Sequence, residues 1–280
     1  MTDSVVTAED YAFLANLLRE RCALILEPGK EYLIRARLTP VAERNHLASV
    51  PLLISRIRQD QSQALVTEVV EAMVTTETSF FRDIHPFETL KQTVLPELIS
   101  RRRGVRQLNI WCAASSSGQE PYSIALLVKE HFPELATWRV NLWATDISHE
   151  MLRRSSAGRY SQVEVNRGLP PPLLSKWFRP TGAQWQLDNQ IGDMVSFSQL
   201  NLATYWPAMQ PWDLILLRNV MIYFDQEVKK QILGRMARVL CPDGYLLLGG
   251  AETTLSLADS FTRIEGLKAG FFQLKPSHKY

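Results

Sequence analysis

The chemistry-bearing residues cluster around one stretch, Leu108 to Val128, reading LNIWCAASSSGQEPYSIALLV. It opens with a short apolar run, Leu108 to Cys112. Small or polar residues follow from Ala113 to Gln119, with Gly118 near their end. From Glu120-Pro121 the pattern becomes apolar at helical spacing, with Pro121 in the first turn, where a missing N–H costs nothing. Strand, small-residue turn and helix form the first unit of a doubly wound α/β sheet, and its turn is where such folds bind a nucleotide-like ligand. A small turn lets a ligand approach the backbone, and Gly118 can take backbone angles forbidden to a side chain.

The stretch lacks G-x-G-x-x-G, the dinucleotide fingerprint, which disfavours a nicotinamide dehydrogenase. It carries Glu120 instead. A carboxylate there would repel a pyrophosphate, but it could accept from an amine or a ribose hydroxyl, or face a cation. That favours S-adenosylmethionine, which has no phosphate and carries an amino group and a sulfonium. Glu120 could equally be a helix-cap carboxylate favoured by the dipole. Asp146 ends the strand-like run Trp138 to Thr145, where doubly wound folds bind a ribose; capping the helix that follows is its other reading. The nearly all-apolar run Trp212 to Leu217 reads as a central strand buried on both faces that delivers Arg218-Asn219 at its end. Thr75 to Asp83 reads as an irregular crossing whose hydroxyls and arginine are candidate ligand contacts.

The elements that position these groups divide the chain. Residues 1–75 read as a helical domain, 76–100 as a linker and connecting helix, and 101–280 as the α/β domain. In the first, Thr7 and Asp10 resemble a capping box. Helices are expected from about Lys30 to Leu38, breaking at Thr39-Pro40, from Pro51 with Leu52, Leu53 and Ile57 inward, and from Leu65 to Met73. Six basic residues (Lys30, Arg35, Arg37, Arg44, Arg56, Arg58) face two acidic ones (Glu31, Glu43) between Lys30 and Arg58. That is either a docking face or an ordinary solvated surface. A helix is expected over Phe87–Ile99. Residues 168–199, with Pro170-Pro171-Pro172 and short runs at Trp185–Leu187 and Met194–Phe197, read as an antiparallel β-subdomain inserted into the sheet. Asp225 is expected to cap a helix over Gln226–Leu240. A short helix is expected after Gly249-Gly250-Ala251-Glu252, then a strand pair at Phe261–Ile264 and Gly270–Leu274.

At 280 residues the chain is long enough for two ordinary domains. Apolar content of 46% and charged content of 21% are those of a globular protein. A net charge of +2 gives no drive towards nucleic acid or membrane, and no apolar run suggests a membrane span. Cys22, Cys112 and Cys241 read as reduced thiols in a cytoplasmic protein, and no metal-ligand spacing is present.

Five separated motifs occur in order: T-T-E-T-S-F-F-R, I-W-C-A-A-S-S-S-G-Q-E-P-Y-S-I-A, A-T-D-I-S, L-R-N-V-M-I-Y-F-D and C-P-D-G-Y-L-L-L-G-G-A-E. Together they closely resemble the chemotaxis receptor methyltransferases, the CheR family, over roughly residues 10–275. The resemblance implies a small helical domain plus a Rossmann-like α/β methyltransferase domain with a small antiparallel β-subdomain. It implies S-adenosylmethionine-dependent esterification of glutamate side chains on the cytoplasmic helices of chemoreceptors. It places cofactor contacts on Thr76, Thr78, Arg82, Glu120, Asp146, Asn201, Leu202, Arg218 and Asn219. Arg82 and Tyr223 fall nearest the methyl group and the incoming glutamate. Receptor contact is implied for the basic helix (Arg35, Arg37, Arg44) and the β-subdomain.

The chain departs from the family in three places. Thr76 stands where asparagine is usual. Pro40, Val41 and Glu43 stand where many members carry further arginines. The stretch between Phe178 and Val195 is short for members that dock on a receptor's C-terminal pentapeptide, so pentapeptide-independent action is expected. The implied chemistry needs no general base, because a glutamate carboxylate is ionised at neutral pH. A non-catalytic adaptor that binds the cofactor is the rival reading.

Overall fold

The structure is a computed structural model and describes residues 5–60 and 62–276. Residues 1–4 and 277–280 of the expected domains lie outside the described residues. Contacts divide the chain into two units: residues up to Thr75 together with Tyr223–Val228, and Thr76–Ile222 together with the chain from Lys229 onward.

The first unit is helical. It contains α1 (Ala8–Cys22), α2 (Glu31–Arg44), α3 (Val50–Asp60) and α4 (Gln63–Met73). Thr7 caps α1 in a reciprocal box with Asp10, which satisfies two backbone donors that the helix leaves open. Leu14, Leu18, Ile34, Leu38, Val41, Leu53, Ile54, Ile57, Val66 and Val69 form its interior. The expected break at Thr39-Pro40 does not occur: α2 runs through Pro40 to Arg44. Ile34, Leu38, Val41 and Ala42 continue one buried stripe across the proline, and their burial outweighs the missing hydrogen bond. Pro40 itself is exposed. Leu52, expected inward, is 49% exposed, and Ile54 takes the buried position. In this unit Asp225 accepts from the Val228 N–H at 2.8 Å, as the cap expected there.

The second unit begins with α5 (His85–Thr89) and α6 (Leu95–Arg102), joined by a π turn over Leu90–Val94. The expected single helix is therefore interrupted just ahead of Pro96, which has no N–H to give. The remaining helices are α7 (Gln119–His131), α8 (His149–Ala157), α9 (Gln162–Asn166), α10 (Pro171–Trp177), α11 (Asn189–Gly192) and α12 (Gln226–Val239), the last of which starts in the helical unit. The strands are β1 (Gln107–Ala113), β2 (Arg139–Asp146), β3 (Arg159–Ser161), β4 (Phe178–Thr181), β5 (Gln184–Leu187), β6 (Val195–Gln199), β7 (Trp212–Leu217), β8 (Leu240–Leu248), β9 (Phe261–Arg263) and β10 (Gly270–Leu274).

Seven strands form one sheet in the order β6-β2-β1-β7-β8-β10-β9. The first five are parallel, and β10 runs antiparallel to β8 and β9. β3, β5 and β4 form a separate antiparallel sheet. The antiparallel excursion is therefore real but differently bounded. Val195–Gln199 belongs to the main sheet, parallel to β2, while Arg159–Ser161, ahead of the expected segment, joins the small sheet. Alternation along a strand cannot say which sheet it joins. Residues 253–260 form turns rather than the expected short helix.

One face of the main sheet sends Leu108, Ile110, Cys112, Leu142, Ala144, Leu214 and Leu216 into a core shared with α7. On the alternate positions Trp111 and Trp143 pack together, and Trp143 stacks on Trp212 with ring centroids 5.4 Å apart. Below β1 and β7 lies a charged knot. The Asp213 carboxylate, 2% exposed, accepts from Arg102 at 2.6 Å and from the Asn109 N–H at 2.8 Å. Arg102 forks onto Asp243 at 2.6 and 2.8 Å. Among the described residues, no helix is long and apolar enough to cross a membrane.

Three outcomes follow for stability. Pro40→Ala restores a helix bond at an exposed site and should stabilise by roughly 1–3 kcal/mol; a lower urea midpoint at unchanged m would contradict the account of α2. Asp213→Ala strands the Arg102 charge and the Asn109 N–H, and should cost about 3–5 kcal/mol. Asp243→Asn should cost far less, because that carboxylate is 44% exposed. Hydrogen bonds from Arg102 hold the Asp243 carboxyl below the usual carboxylate range. Its contribution is present above the unfolded carboxylate pKa of about 3.9 and is lost as pH falls through the lower folded value. An unfolding series from pH 7 to pH 2 should show a shallower acid limb for Asp243→Asn.

Candidate functional site

The chain leaves β1 towards β2 and β6, then returns through β7 on the other side of β1. The ends of β1 and β7 therefore flank the point where strand order reverses, the usual crevice for a ligand in such sheets. Glu120 and Arg218 meet there.

Arg218 follows the fully buried strand β7, and its side chain is 1% exposed. One terminal nitrogen donates to Glu120 Oε2 at 2.7 Å. The other donates to Asp83 Oδ2 at 2.8 Å and to the Arg82 carbonyl at 3.0 Å. The guanidinium lies 5.7 Å from the centre of the Phe87 ring. Its Nε has no partner among the described residues. Burial pushes the Glu120 carboxyl up from its ordinary value, and the Arg218 charge opposes that rise.

The β1–α7 turn is pinned from several sides. Asp146 accepts from the Ser116 N–H at 2.8 Å and from the Ser148 N–H at 2.9 Å. Ser148, not Asp146, caps α8, through the Met151 N–H. A two-residue loop after β2 leaves the cap position to Ser148, so the capping reading of Asp146 is corrected. Ser116 Oγ donates to the Thr76 carbonyl at 2.6 Å. Ser155 of α8 donates to the Ser116 carbonyl, and Tyr160 of β3 donates to that of Ser117. Gly118 stands at φ +94°, and an added Cβ would lie 3.0–3.1 Å from Ser155 and Tyr160. The glycine is thus demanded by the protein's own packing. Ser115 Oγ is buried in this turn without a partner among the described residues.

The other named residues join through the backbone. The Leu200 N–H donates to the Asp146 carbonyl at 3.0 Å, placing Asn201-Leu202 just beyond the end of β6. Asn201 closes on the Ala203 N–H, and the buried Leu202 offers its carbonyl to Trp206 and Arg235. Asn219 stands at φ +57°. Thr78 is half-buried in the crossing segment. Arg82 is half-buried, and its guanidinium donates to the Glu77 carbonyl at 3.1 Å. Tyr223 is grouped with the helical unit, where its carbonyl accepts from the Ile25 N–H at 3.1 Å.

Two acidic residues escaped the sequence reading. Glu252 accepts from the N–H groups of Asn219, Val220, Met221 and Gly249 at 2.8–2.9 Å. It locks the loop after β7 to the loop after β8. A Cβ on Gly249 would meet Glu252 Oε2 at 2.6 Å. The G-G-A-E run at the end of a strand was the available signal. Asp83, the partner of Arg218, ends the threonine-rich segment, where its charge had no visible counterpart.

The donor set suits a ligand with an amino group, hydroxyls and a carboxylate. Glu120 and Asp146 are carboxylate acceptors, while Arg218 Nε–H and Ser115 Oγ are buried and unspent among the described residues. Buried polar groups of this kind ordinarily find a partner. Two carboxylates would reject a pyrophosphate. S-adenosylmethionine fits this set.

Of the three arginines implied in partner contact, Arg37 turns onto the Met73 carbonyl and Thr75 Oγ1, and Arg44 pairs with Glu68. Of the three, Arg44 alone makes an ion pair among the described residues, and no side-chain hydrogen bond holds Arg35 there.

Residues 9–74 match the CheR methyltransferase all-alpha domain, and residues 76–269 match the CheR methyltransferase SAM binding domain. The chain is 40% identical over 261 residues to chemotaxis protein methyltransferase 1 of Pseudomonas aeruginosa, covering 91% of this chain and 94% of that one. It is 36% identical to a chemotaxis protein methyltransferase of Vibrio parahaemolyticus, covering 98% and 100%. It is 36% identical to chemotaxis protein methyltransferase Cher2 of Pseudomonas putida, covering 95% and 98%. The chain belongs to the CheR family of S-adenosylmethionine-dependent chemotaxis methyltransferases.

Proposed function

We propose that this methyltransferase esterifies glutamate side chains of chemoreceptors, giving glutamyl methyl esters for chemotactic adaptation. The observation that carries the reading is Arg82: a half-buried cation whose backbone is tied to the buried Arg218–Glu120 pair, with only one side-chain hydrogen bond of its own among the described residues. Its remaining N–H groups are free to hold an incoming carboxylate by charge-assisted bonds.

S-adenosylmethionine supplies an electrophilic methyl group on a good leaving group. The protein's residues bind and orient. Glu120 offers a carboxylate to an ammonium, and Asp146 offers one to a ribose hydroxyl. Thr76, Thr78, Asn201, Leu202, Arg218 and Asn219 complete the cofactor contacts that the family resemblance implies. Tyr223 takes the implied role of placing methyl group or substrate through its hydroxyl. An ionised glutamate needs no base, so the catalytic contribution is positional, a term worth up to ~7–11 kcal/mol in well-oriented systems. Receptor contact is assigned to the helical unit around Arg35 and to the β3-β5-β4 sheet, and the site of action to the cytoplasm.

Two variants separate the roles. Arg82→Ala should cut turnover by about 100-fold or more while leaving calorimetric affinity for S-adenosylhomocysteine nearly unchanged. Equal turnover would remove Arg82 from the mechanism. Asp146→Ala should do the reverse, weakening cofactor-product binding by roughly 10- to 100-fold through loss of a charged hydrogen bond. Unchanged affinity would remove Asp146 from the cofactor site.

A further inference from the structure

Arg82 sits in a backbone segment that would not hold its shape alone. Phe81, Asp83 and Ile84 stand at φ +46°, +70° and +49°, a region that side chains, and β-branched ones most of all, avoid. Such angles persist only where the surroundings impose them. Ahead of Arg82 the hold is apolar. The Phe80 ring is fully buried edge-on to Tyr160 and Phe178, at 5.0 and 5.7 Å between centroids. The Phe81 N–H donates to Ser123 Oγ at 2.9 Å, and its ring packs on Phe87. At Arg82 and Asp83 the hold is the Arg218 guanidinium, on the Arg82 carbonyl and the Asp83 carboxylate.

The two carboxylates on Arg218 differ in kind. Glu120 is 12% exposed and lies inside the site, whereas Asp83 is 52% exposed. A half-exposed carboxylate adds little to overall stability. It does two things here that stability does not measure. It fixes the backbone from which Arg82 projects, and it occupies the outward nitrogen of the second arginine, which would otherwise compete with Arg82 for an incoming carboxylate.

We propose that Asp83 is a positioning residue for the methyl acceptor: it holds Arg82 in its working conformation and keeps Arg218 from capturing the acceptor carboxylate. The inference rests on the reading of Arg82 given above. Through Arg218, one cation ties the acceptor-binding loop to the carboxylate at the start of α7.

The test measures transfer of labelled methyl from S-adenosylmethionine to chemoreceptor-bearing membranes of the source cell, with kcat and acceptor KM determined separately. Asp83→Ala, Asp83→Asn and Asp83→Glu are compared, with Asp83→Asn serving if the alanine variant folds poorly. Asp83→Ala should lower kcat/KM for the acceptor by about 10- to 100-fold, with a raised acceptor KM and S-adenosylhomocysteine affinity within about threefold. Asp83→Glu should recover part of the loss. In an Arg82→Lys background, Asp83→Ala should cost little more, because residues acting through one another are not additive. An unchanged acceptor kcat/KM in Asp83→Ala would overturn the proposal. So would an equal further loss in the Arg82→Lys background, or a fall in kcat alone that tracks a fall in Tm. If Arg82→Ala itself transfers methyl groups at the parent rate, the reading of Arg82 fails first.

Discussion

A guanidinium that is 1% exposed must be neutralised where it lies, and the site is built around that requirement. β7 is buried on both faces, so the residue that leaves it has nowhere to go but the crevice between β1 and β7. Arg218 arrives there and gathers Glu120 from the start of α7 and Asp83 from the segment after the helical unit. Two sequence-distant elements are thereby fixed to one strand end. Without the pair of carboxylates, burial of Arg218 would cost more than the fold could return.

The remaining contacts guard that geometry. Asp146 holds the Ser116 N–H, and Ser155 and Tyr160 hold the next two carbonyls, so the small-residue turn keeps one shape. Glu252 performs the same service for the loop after β7 by gathering four backbone donors. A methyl transfer of the kind proposed, needing no proton abstraction, would gain chiefly from such fixity.

Much of this was legible in the sequence because burial writes a strong pattern. The nearly all-apolar run Trp212–Leu217 announced a central strand, and Leu108–Val128 announced strand, turn and helix. Asp146 and Arg218 stood out because charge at the end of a strand has few structural uses, and Glu120 because a carboxylate at the start of α7 replaces the dinucleotide fingerprint. What was hidden depends on partners far apart in the chain. Asp83 has no local signature, and the G-G-A-E run that carries Glu252 does not name its partners; their roles come from Arg218 and, for Glu252, chiefly from loop donors 31 to 33 residues away. Pro40 misled because propensity is local, while the stripe through Val41 and Ala42 is tertiary. Val195–Gln199 misled because alternation names a strand but not its sheet. Gly118 was read as a residue free to take angles forbidden to a side chain, and it stands at φ +94°; that Ser155 and Tyr160 also crowd its Cβ position was not legible.

The most direct measurement supplies S-adenosylmethionine labelled in its methyl group to the purified protein with chemoreceptor-bearing membranes of the source cell. Base treatment then releases any ester methyl as volatile methanol. The account predicts base-labile label on receptor bands, the mark of carboxyl methyl esters. Absence of label on receptors, with S-adenosylhomocysteine still bound, would contradict the assignment of glutamate as acceptor and leave a cofactor-binding adaptor in its place.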